Sequence, residues 1–411
     1  MDYPIVFIPG LFGSMGDDVI KGTGDFSFGL AERIYKPFIE ILNSMGYIEG
    51  VNLFISYYNW KIPVLESVDK YLIPTVEKAK IITGMKKVIL IGHSLGGLLG
   101  RAYDSYFNPS SVHKLIMIGT PNLGSVNAYQ FWSGGKLPYP KIEDNVLYNG
   151  LKLGFIIYYY LFEKVNYIEG LRKIFPVAKD LLPSYEYGDY LFWEDKGMRK
   201  GIPIRSMSID NLFLNRMEHS FIDENKLFII GGKGIYTNKE FMVSLKEKGK
   251  IKWTDGKPIK TFRTNYGDGT VTTASALGYL GGNNIILKGN HTDILYKSKD
   301  YLSSILGKPL TRKTKVSKVE KVYVILADNC KKINIEAFSF NEIIGKQNID
   351  DSEIQTIDLL SNRFLVMIAG DRSLEINLDI ESIDGKKPRV FVNTIGKEGI
   401  SSEYKSFKYK I

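Results

Sequence analysis

A serine held between glycines at the corner of a strand and a helix is a recurrent way to make a nucleophile, and the stretch IGHSLGGLLGRAY, Ile91 to Tyr103, supplies one. Gly92, Ser94 and Gly96 form GxSxG. The run KKVIL before them is a short β-branched strand pattern, and the Leu, Ala, Arg and Tyr that follow can wind as a helix. Chance supplies about 0.3 such glycine-serine matches in a chain of this length, so the weight rests on the flanking strand and helix. Without them Ser94 would read as an idle serine in an ordinary turn. Glycine is needed on either side because a Cβ would collide with neighbouring backbone at so tight a corner.

Serine at its free pKa is a poor nucleophile, so it needs a base, and the base needs a carboxylate to fix its tautomer and offset the imidazolium charge. In folds built on this corner the partners follow in the order Ser, Asp or Glu, His. The chain has four histidines. His93 lies inside the corner and points away from the serine's own side, His113 precedes a strand, and His219 falls in an aromatic-rich region. His291 comes last, after the final strand of the sheet, and is assigned as general base and acid. Of the candidate acids that follow a late strand, Asp268 in the Gly-flanked turn YGDGTV is preferred. Asp255 in TDGK reads as a hairpin-turn aspartate, and Asp293, two residues from His291, could not easily reach round to the far ring nitrogen.

The developing oxyanion needs two backbone N–H donors, one from the residue after the nucleophile and one from the loop after an early strand. Leu95 supplies the first. Leu11 in PGLFGS, directly after the strand pattern YPIVFIP, is the choice for the second, with Phe12 behind it; the alternative is a plain Gly-rich connection. Phe12, Trp132, Phe155 and Tyr159 are the candidate substrate contacts.

These residues must be positioned by strands alternating with helices. YPIVFIPG, VNLFISYYNW, KKVILIG, VHKLIMIGTP, KLFIIGGKG and NNIILKG read as strands. GLAERIYKPFIEILNSMGY reads as a helix closing on Gly46, and IPVLESVDKYLIPTVEKAKIITG as a helix with a possible kink at Pro74. Alternating βαβ units mean a parallel sheet covered on both faces, with the ligand at the carboxyl ends of the strands. That is where PGLFGS, the serine corner and GTPNLGS all fall. From about residue 126 to 226 the alternation breaks down and aromatic residues crowd, including the all-round apolar LKLGFIIYYYLF, which reads as a cap or lid over an apolar acyl-chain groove. Buried structural aromatics are the alternative for any single residue. A hairpin excursion is expected through KIKWTDGKPIKTF. The expected organisation is a catalytic domain over residues 1–307 and an all-β module over 308–411, most simply a small sandwich, because short alternating strands replace helices after Gly307.

Composition narrows the function. The net charge of +9 is spread through 411 residues rather than gathered in an arm, so no nucleic-acid partner is expected. A diffuse positive field would favour peripheral contact with an anionic lipid interface and would equally serve solubility. No segment reaches the roughly 18 apolar residues a membrane span needs. A single Cys, Cys330, and four His exclude a disulfide framework and leave little for zinc, so no transition metal and no cofactor are expected. A carboxylate and carbonyl site for calcium need leave no sequence signature. The apolar run starting at Tyr3 is not a leader: a native start at Met1 implies the cytoplasm, and a leader upstream of it would imply secretion.

PGLFGS, YNWK at Tyr58 to Lys61, GHSLGGLLGR, GTPNLGS, GDGTV and a late His followed by TDIL together resemble the lecithin:cholesterol acyltransferase family of α/β-hydrolases, which includes phospholipid acyltransferases, phospholipases A and related bacterial lipases. The resemblance covers about Tyr3 to Leu306. It implies an α/β-hydrolase fold and an acyl-serine mechanism on a lipid ester, with Ser94, Asp268 and His291 as triad and Leu11 and Leu95 as oxyanion donors. The chain departs from the family in two places: YNWK stands where YDWR is frequent, and no second Cys exists to close a lid. The expected function is therefore a serine lipase or esterase. An O-acyltransferase with an alcohol in place of water is the first alternative, and a non-catalytic lipid- or glycan-binding protein using the β module the second.

Overall fold

Ile5–Ile8, four consecutive apolar residues, is buried throughout and forms β1, as a parallel strand covered on both faces must be. The computed structural model describes residues 2–18, 23–135, 167–218, 220, 222–246, 253–311, 321–341, 345–348, 354–358, 362–370, 374–383, 386–396 and 399–404. Phe155, Tyr159, His219 and the LKLGFIIYYYLF stretch lie outside them.

After β1 come a hairpin of β2 (Met15–Asp18) and β3 (Thr23–Ser27), then α1 (Glu32–Ser44), whose Phe38 packs on Phe7 at 5.0 Å. Next are β4 (Leu53–Ile55), α2 (Val64–Ser67), α3 (Ile73–Thr83), β5 (Val88–His93), α4 (Leu95–Ala102), β6 (Val112–Ile118) and α5 (Val126–Gly134). Ahead of Pro74 the helix widens into a π-helical turn over Val68–Leu72, in which the Ile73 N–H reaches back to the Val68 carbonyl. Proline lacks the N–H that would bond residue 70 and its ring crowds that carbonyl. The wider turn moves the obstruction before the proline arrives.

A hairpin of β7 (Leu191–Asp195) and β8 (Met198–Ile202) precedes β9 (Leu227–Lys233), and β10 (Thr237–Ser244), β11 (Lys257–Thr264) and β12 (Asn283–Lys288) follow. Among the described residues the main sheet runs β12-β9-β6-β5-β1-β4, every pairing parallel. The fold is that of an α/β-hydrolase. The chain leaves β1 toward β4 on one side and returns to β5 on the other, so the strand order reverses between β1 and β5. In an open parallel sheet that reversal opens a crevice at the carboxyl ends of the two strands, where PGLFGS and the serine corner begin.

A second sheet, β11-β10-β7-β8, lies in the same compact unit. The hairpin expected after β9 therefore does not stand alone: β10 pairs in parallel with β7, Phe241 opposite Leu191. Their shared core joins Val126 and Tyr129 of α5 to Leu182, Tyr190, Leu191, Phe241, Val243 and Trp253. Residues 237–264 thus extend the region read as ending near 226.

The other compact unit, over its described residues, gathers Met15–Lys36 and the strands from Lys321 to Tyr404. β13 (Lys321–Asp328), β14 (Cys330–Asn341), β15 (Gly345–Asn348), β16 (Ile354–Asp358), β17 (Arg363–Gly370), β18 (Leu374–Ser382), β19 (Arg389–Gly396) and β20 (Gly399–Tyr404) form two antiparallel sheets, β16-β17-β13-β19-β20 and β15-β14-β18. Ile325, Val366, Ile368 and Val392 from one sheet meet Ala337, Leu378 and Ile380 from the other, the alternation of a sandwich. No described helix is long and apolar enough to cross a membrane.

Candidate active site

Ser94 sits between β5 and α4 with φ 53° and ψ −124°, a conformation that a side chain adopts only when its surroundings enforce it. The enforcement is visible. A Cβ on Gly92 would stand 2.5 Å from the Gly97 backbone, one on Gly96 2.2 Å from the Ile8 carbonyl oxygen, and one on Gly97 1.8 Å from Thr120 Oγ1. The glycines therefore serve the close approach of α4 to β1 and β6, beyond the tight turn itself. The Ser94 N–H donates to the Ile118 carbonyl at 2.9 Å, which ties the corner to β6. Leu95 opens α4, so its N–H has no acceptor within the helix.

Asp268 and His291 are brought together: the imidazole Nδ1 lies 2.7 Å from Asp268 Oδ2. The other carboxylate oxygen accepts the N–H groups of Thr270 at 2.9 Å and Val271 at 2.7 Å. Bonded through both oxygens, the carboxylate is fixed in position, and because it accepts from the ring, Nδ1 carries the proton. The ring's Nε2 is then the basic nitrogen; it is buried and has no hydrogen-bond partner among the described residues. Ser94, Asp268 and His291 are 8%, 1% and 7% exposed. The His291 ring lies on Gly119, where a Cβ would be 3.2 Å from it, and Gly119 follows Ile118, the residue that holds the Ser94 N–H. Asn290 caps this loop, its Oδ1 accepting from the N–H of Asp293 at 2.8 Å. Asp293 itself faces Lys297.

The PGLFGS loop lies against the serine: a Cβ on Gly10 would meet Ser94 Cβ at 2.9 Å. The Gly13 N–H closes a turn onto the Gly10 carbonyl at 2.9 Å, and Phe12 within that turn has φ 61°. Tyr58, the first residue of YNWK, braces both ends of the loop. Its hydroxyl donates to the Pro9 carbonyl at 2.8 Å and its N–H to Ser14 Oγ at 2.8 Å. Beside the loop stands a buried aromatic wall. The Phe12 ring meets Trp60 edge-on at 4.5 Å, Trp60 stacks on Phe175 at 5.6 Å, and Phe131 meets Phe175 at 5.8 Å. Trp60 was visible only as part of YNWK, and Phe175 carried no sequence signal. Trp132, next to Phe131 on α5, turns to the core shared by α5, β7 and β10 and lies under the Arg172 guanidinium.

Two further groups join the site only through contacts made in the folded chain. His93 alternates away from Ser94 along β5, yet its Nε2 lies 2.9 Å from the main-chain oxygen of His291. Burial first, then the neighbouring His291, pushes its pKa down to about 3. Arg101 of α4 is 1% exposed and donates to the carbonyls of Asn122 and Met217 at 3.1 and 3.2 Å. Asn122 in turn donates to the Ala276 carbonyl, and Ser275 Oγ to the Gly124 carbonyl at 2.6 Å. GTPNLGS is thus the junction between α4 and the segment that follows Asp268. Among the described residues no group of three or more His, Cys, Asp or Glu is arranged to hold a metal ion.

The family model for lecithin:cholesterol acyltransferase matches residues 26–195, a span that contains YNWK, the serine corner and GTPNLGS and ends before Asp268 and His291. No curated protein matches the chain. Among solved structures it is similar to the Tle4-Tli4 complex, with 12% identity, a TM-score of 0.45, and 74% of this chain and 98% of that one covered. It is also similar to the mature lipase BlEst2 of Bacillus licheniformis, at 16% identity and TM-score 0.36 over 74% of this chain and 92% of that one. The lin2722 product of Listeria innocua gives 14% identity and TM-score 0.34, with 76% and 97% covered. This protein is an α/β-hydrolase whose residues 26–195 match the family model for lecithin:cholesterol acyltransferase.

Proposed function

We propose that the protein is a serine lipid-ester hydrolase of phospholipase A type that works through an acyl group on Ser94. The family match supports an enzyme acting on acyl esters, and one observation carries the finer reading. Ser94 is held at φ 53°, and the His291 imidazole has its Nδ1 tied to a carboxylate bonded through both oxygens and a buried Nε2 with no hydrogen-bond partner among the described residues. A nitrogen kept in that state is poised to take a proton.

In this mechanism Ser94 Oγ attacks the ester carbonyl carbon while its proton passes to His291 Nε2, and Asp268 offsets the imidazolium charge. The N–H groups of Leu11 and Leu95 hold the oxyanion. Its collapse breaks the ester bond, and the leaving alkoxide takes the proton from Nε2. Water then enters by the same route in reverse, giving up a proton to His291 and releasing the fatty acid. Phe12 and the wall of Trp60, Phe175 and Phe131 offer the acyl chain an apolar surface beside the oxyanion loop, whereas Trp132 packs into the core of α5, β7 and β10.

Hydrolysis of p-nitrophenyl esters of increasing acyl length tests this. Turnover should rise with chain length and disappear in Ser94→Ala; equal turnover in the mutant would sink the reading. The family match favours a second outcome of the same intermediate, transfer to an alcohol. Adding a long-chain alcohol to the assay and measuring new ester against free acid separates the two.

A further inference from the structure

His291 stands on the loop after β12, while Ser94 directly follows β5, and two strands, β9 and β6, lie between β12 and β5. At the usual strand spacing that is about 14 Å across the sheet, so the loop carrying the base must cross the ends of both intervening strands to meet the serine. Asp268 orients the imidazole through Nδ1, but orienting a ring does not place its main chain. The base's main chain is held elsewhere. His93 Nε2 lies 2.9 Å from the His291 carbonyl oxygen, with the two rings 4.9 Å apart. A carbonyl oxygen only accepts, so His93 carries its proton on Nε2 and donates it.

His93 is also the residue before the nucleophile. It pairs with Ile118 in the sheet, and the same Ile118 holds the Ser94 N–H. Its Nδ1 would be 3.2 Å from a Cβ on Gly10, at the root of the oxyanion loop. One imidazole therefore touches the base loop and the oxyanion loop while being covalently next to the serine.

We propose that His93 is a positioning residue for the Ser94 reaction: its Nε2–H sets the main chain of His291 and hence the distance from Nε2 of His291 to Ser94. The inference rests on the serine-hydrolase reading above. A second cation beside His291 would oppose protonation of that imidazole during attack, and the burial that keeps His93 neutral removes this conflict. Misplacement by a fraction of an ångström is costly in the chemical step and nearly invisible in substrate binding.

The test compares His93→Gln, His93→Met and His93→Asn in the full chain on a p-nitrophenyl ester. Glutamine places an N–H at the same number of bonds from Cβ as His Nε2. Methionine has the same reach without a donor, and asparagine keeps a donor that stops one bond short. Met and Asn should lower kcat by about 10- to 100-fold with KM within about twofold of wild type, and slow fluorophosphonate labelling of Ser94 in parallel. Gln should stay within about threefold of wild type, with melting temperatures alike across the set. Met or Asn variants as active as wild type, or a Gln variant as impaired as Met, would overturn the proposal. A wild type that neither turns over ester nor takes up the label would remove the functional reading, and this inference with it.

Discussion

Ser94 stores backbone strain at the point where the chemistry is proposed to occur, and that strain has a measurable price in stability. A non-glycine residue at φ 53° and ψ −124° costs on the order of 1–3 kcal/mol, part of which glycine's greater freedom in the unfolded chain would cancel. Ser94→Gly should therefore raise the unfolding free energy by about 1 kcal/mol while abolishing turnover. Urea unfolding checks this, and a destabilised glycine variant would mean the conformation is not strained. The pairing of Asp268 with His291 was readable because chain order and a Gly-flanked turn restrict the choice, and the two side chains meet at 2.7 Å. His93 was readable only as far as strand alternation goes. Alternation says which side of β5 it faces and nothing about a carbonyl 198 residues later in the chain. Trp60 and Phe175 are 115 positions apart, and no local pattern announces that their rings stack.

Elements hold these residues through contacts that periodicity does not encode. The six strands of the main sheet could be read from apolar runs, but β10 joins β7 across some fifty residues of sequence, in a register no local signal sets. The π-helical turn before Pro74 is likewise invisible to periodicity, which marks only the proline itself. A short helix, Val177–Asp180, is tied to the start of α2 by the Asp180 carboxylate, which accepts the Val64 N–H at 2.8 Å. Burial pushes Asp180 up to about 6, against the opposing pull of that hydrogen bond and of Lys179. Because the folded pKa is raised, the stability this group contributes is full below its unfolded value of about 4 and is lost as pH rises through about 6. Asp180→Asn keeps an oxygen for Val64 and removes the charge. It should gain about 1 kcal/mol at about pH 8, discounted for partial exposure, and nothing at about pH 3. Equal effects at the two pH values would contradict this linkage.

At the scale of the whole molecule, the α/β order of the first three hundred residues and the all-β character of the last hundred were both legible from periodicity, since β18, LEINLDIES, alternates as a half-buried strand should. The same reading could not foresee that Met15–Lys36 falls in the compact unit of the C-terminal strands. Nothing in the local pattern of a short hairpin says which core it joins. Ser94 and His291 are less than a tenth exposed, so on the proposed function a long acyl ester has to leave its aggregate to reach them. Activity on such an ester should rise steeply above its aggregation threshold, and a rate that passes through the threshold unchanged would contradict access at a lipid surface. The most direct measurement is mass mapping of the full chain after treatment with a fluorophosphonate. The expected result is a single adduct on Ser94, absent in Ser94→Ala and formed about a thousandfold more slowly in Asp268→Asn. A chain that takes up no adduct, or takes it up on another residue, would contradict the assignment of Ser94 as the nucleophile.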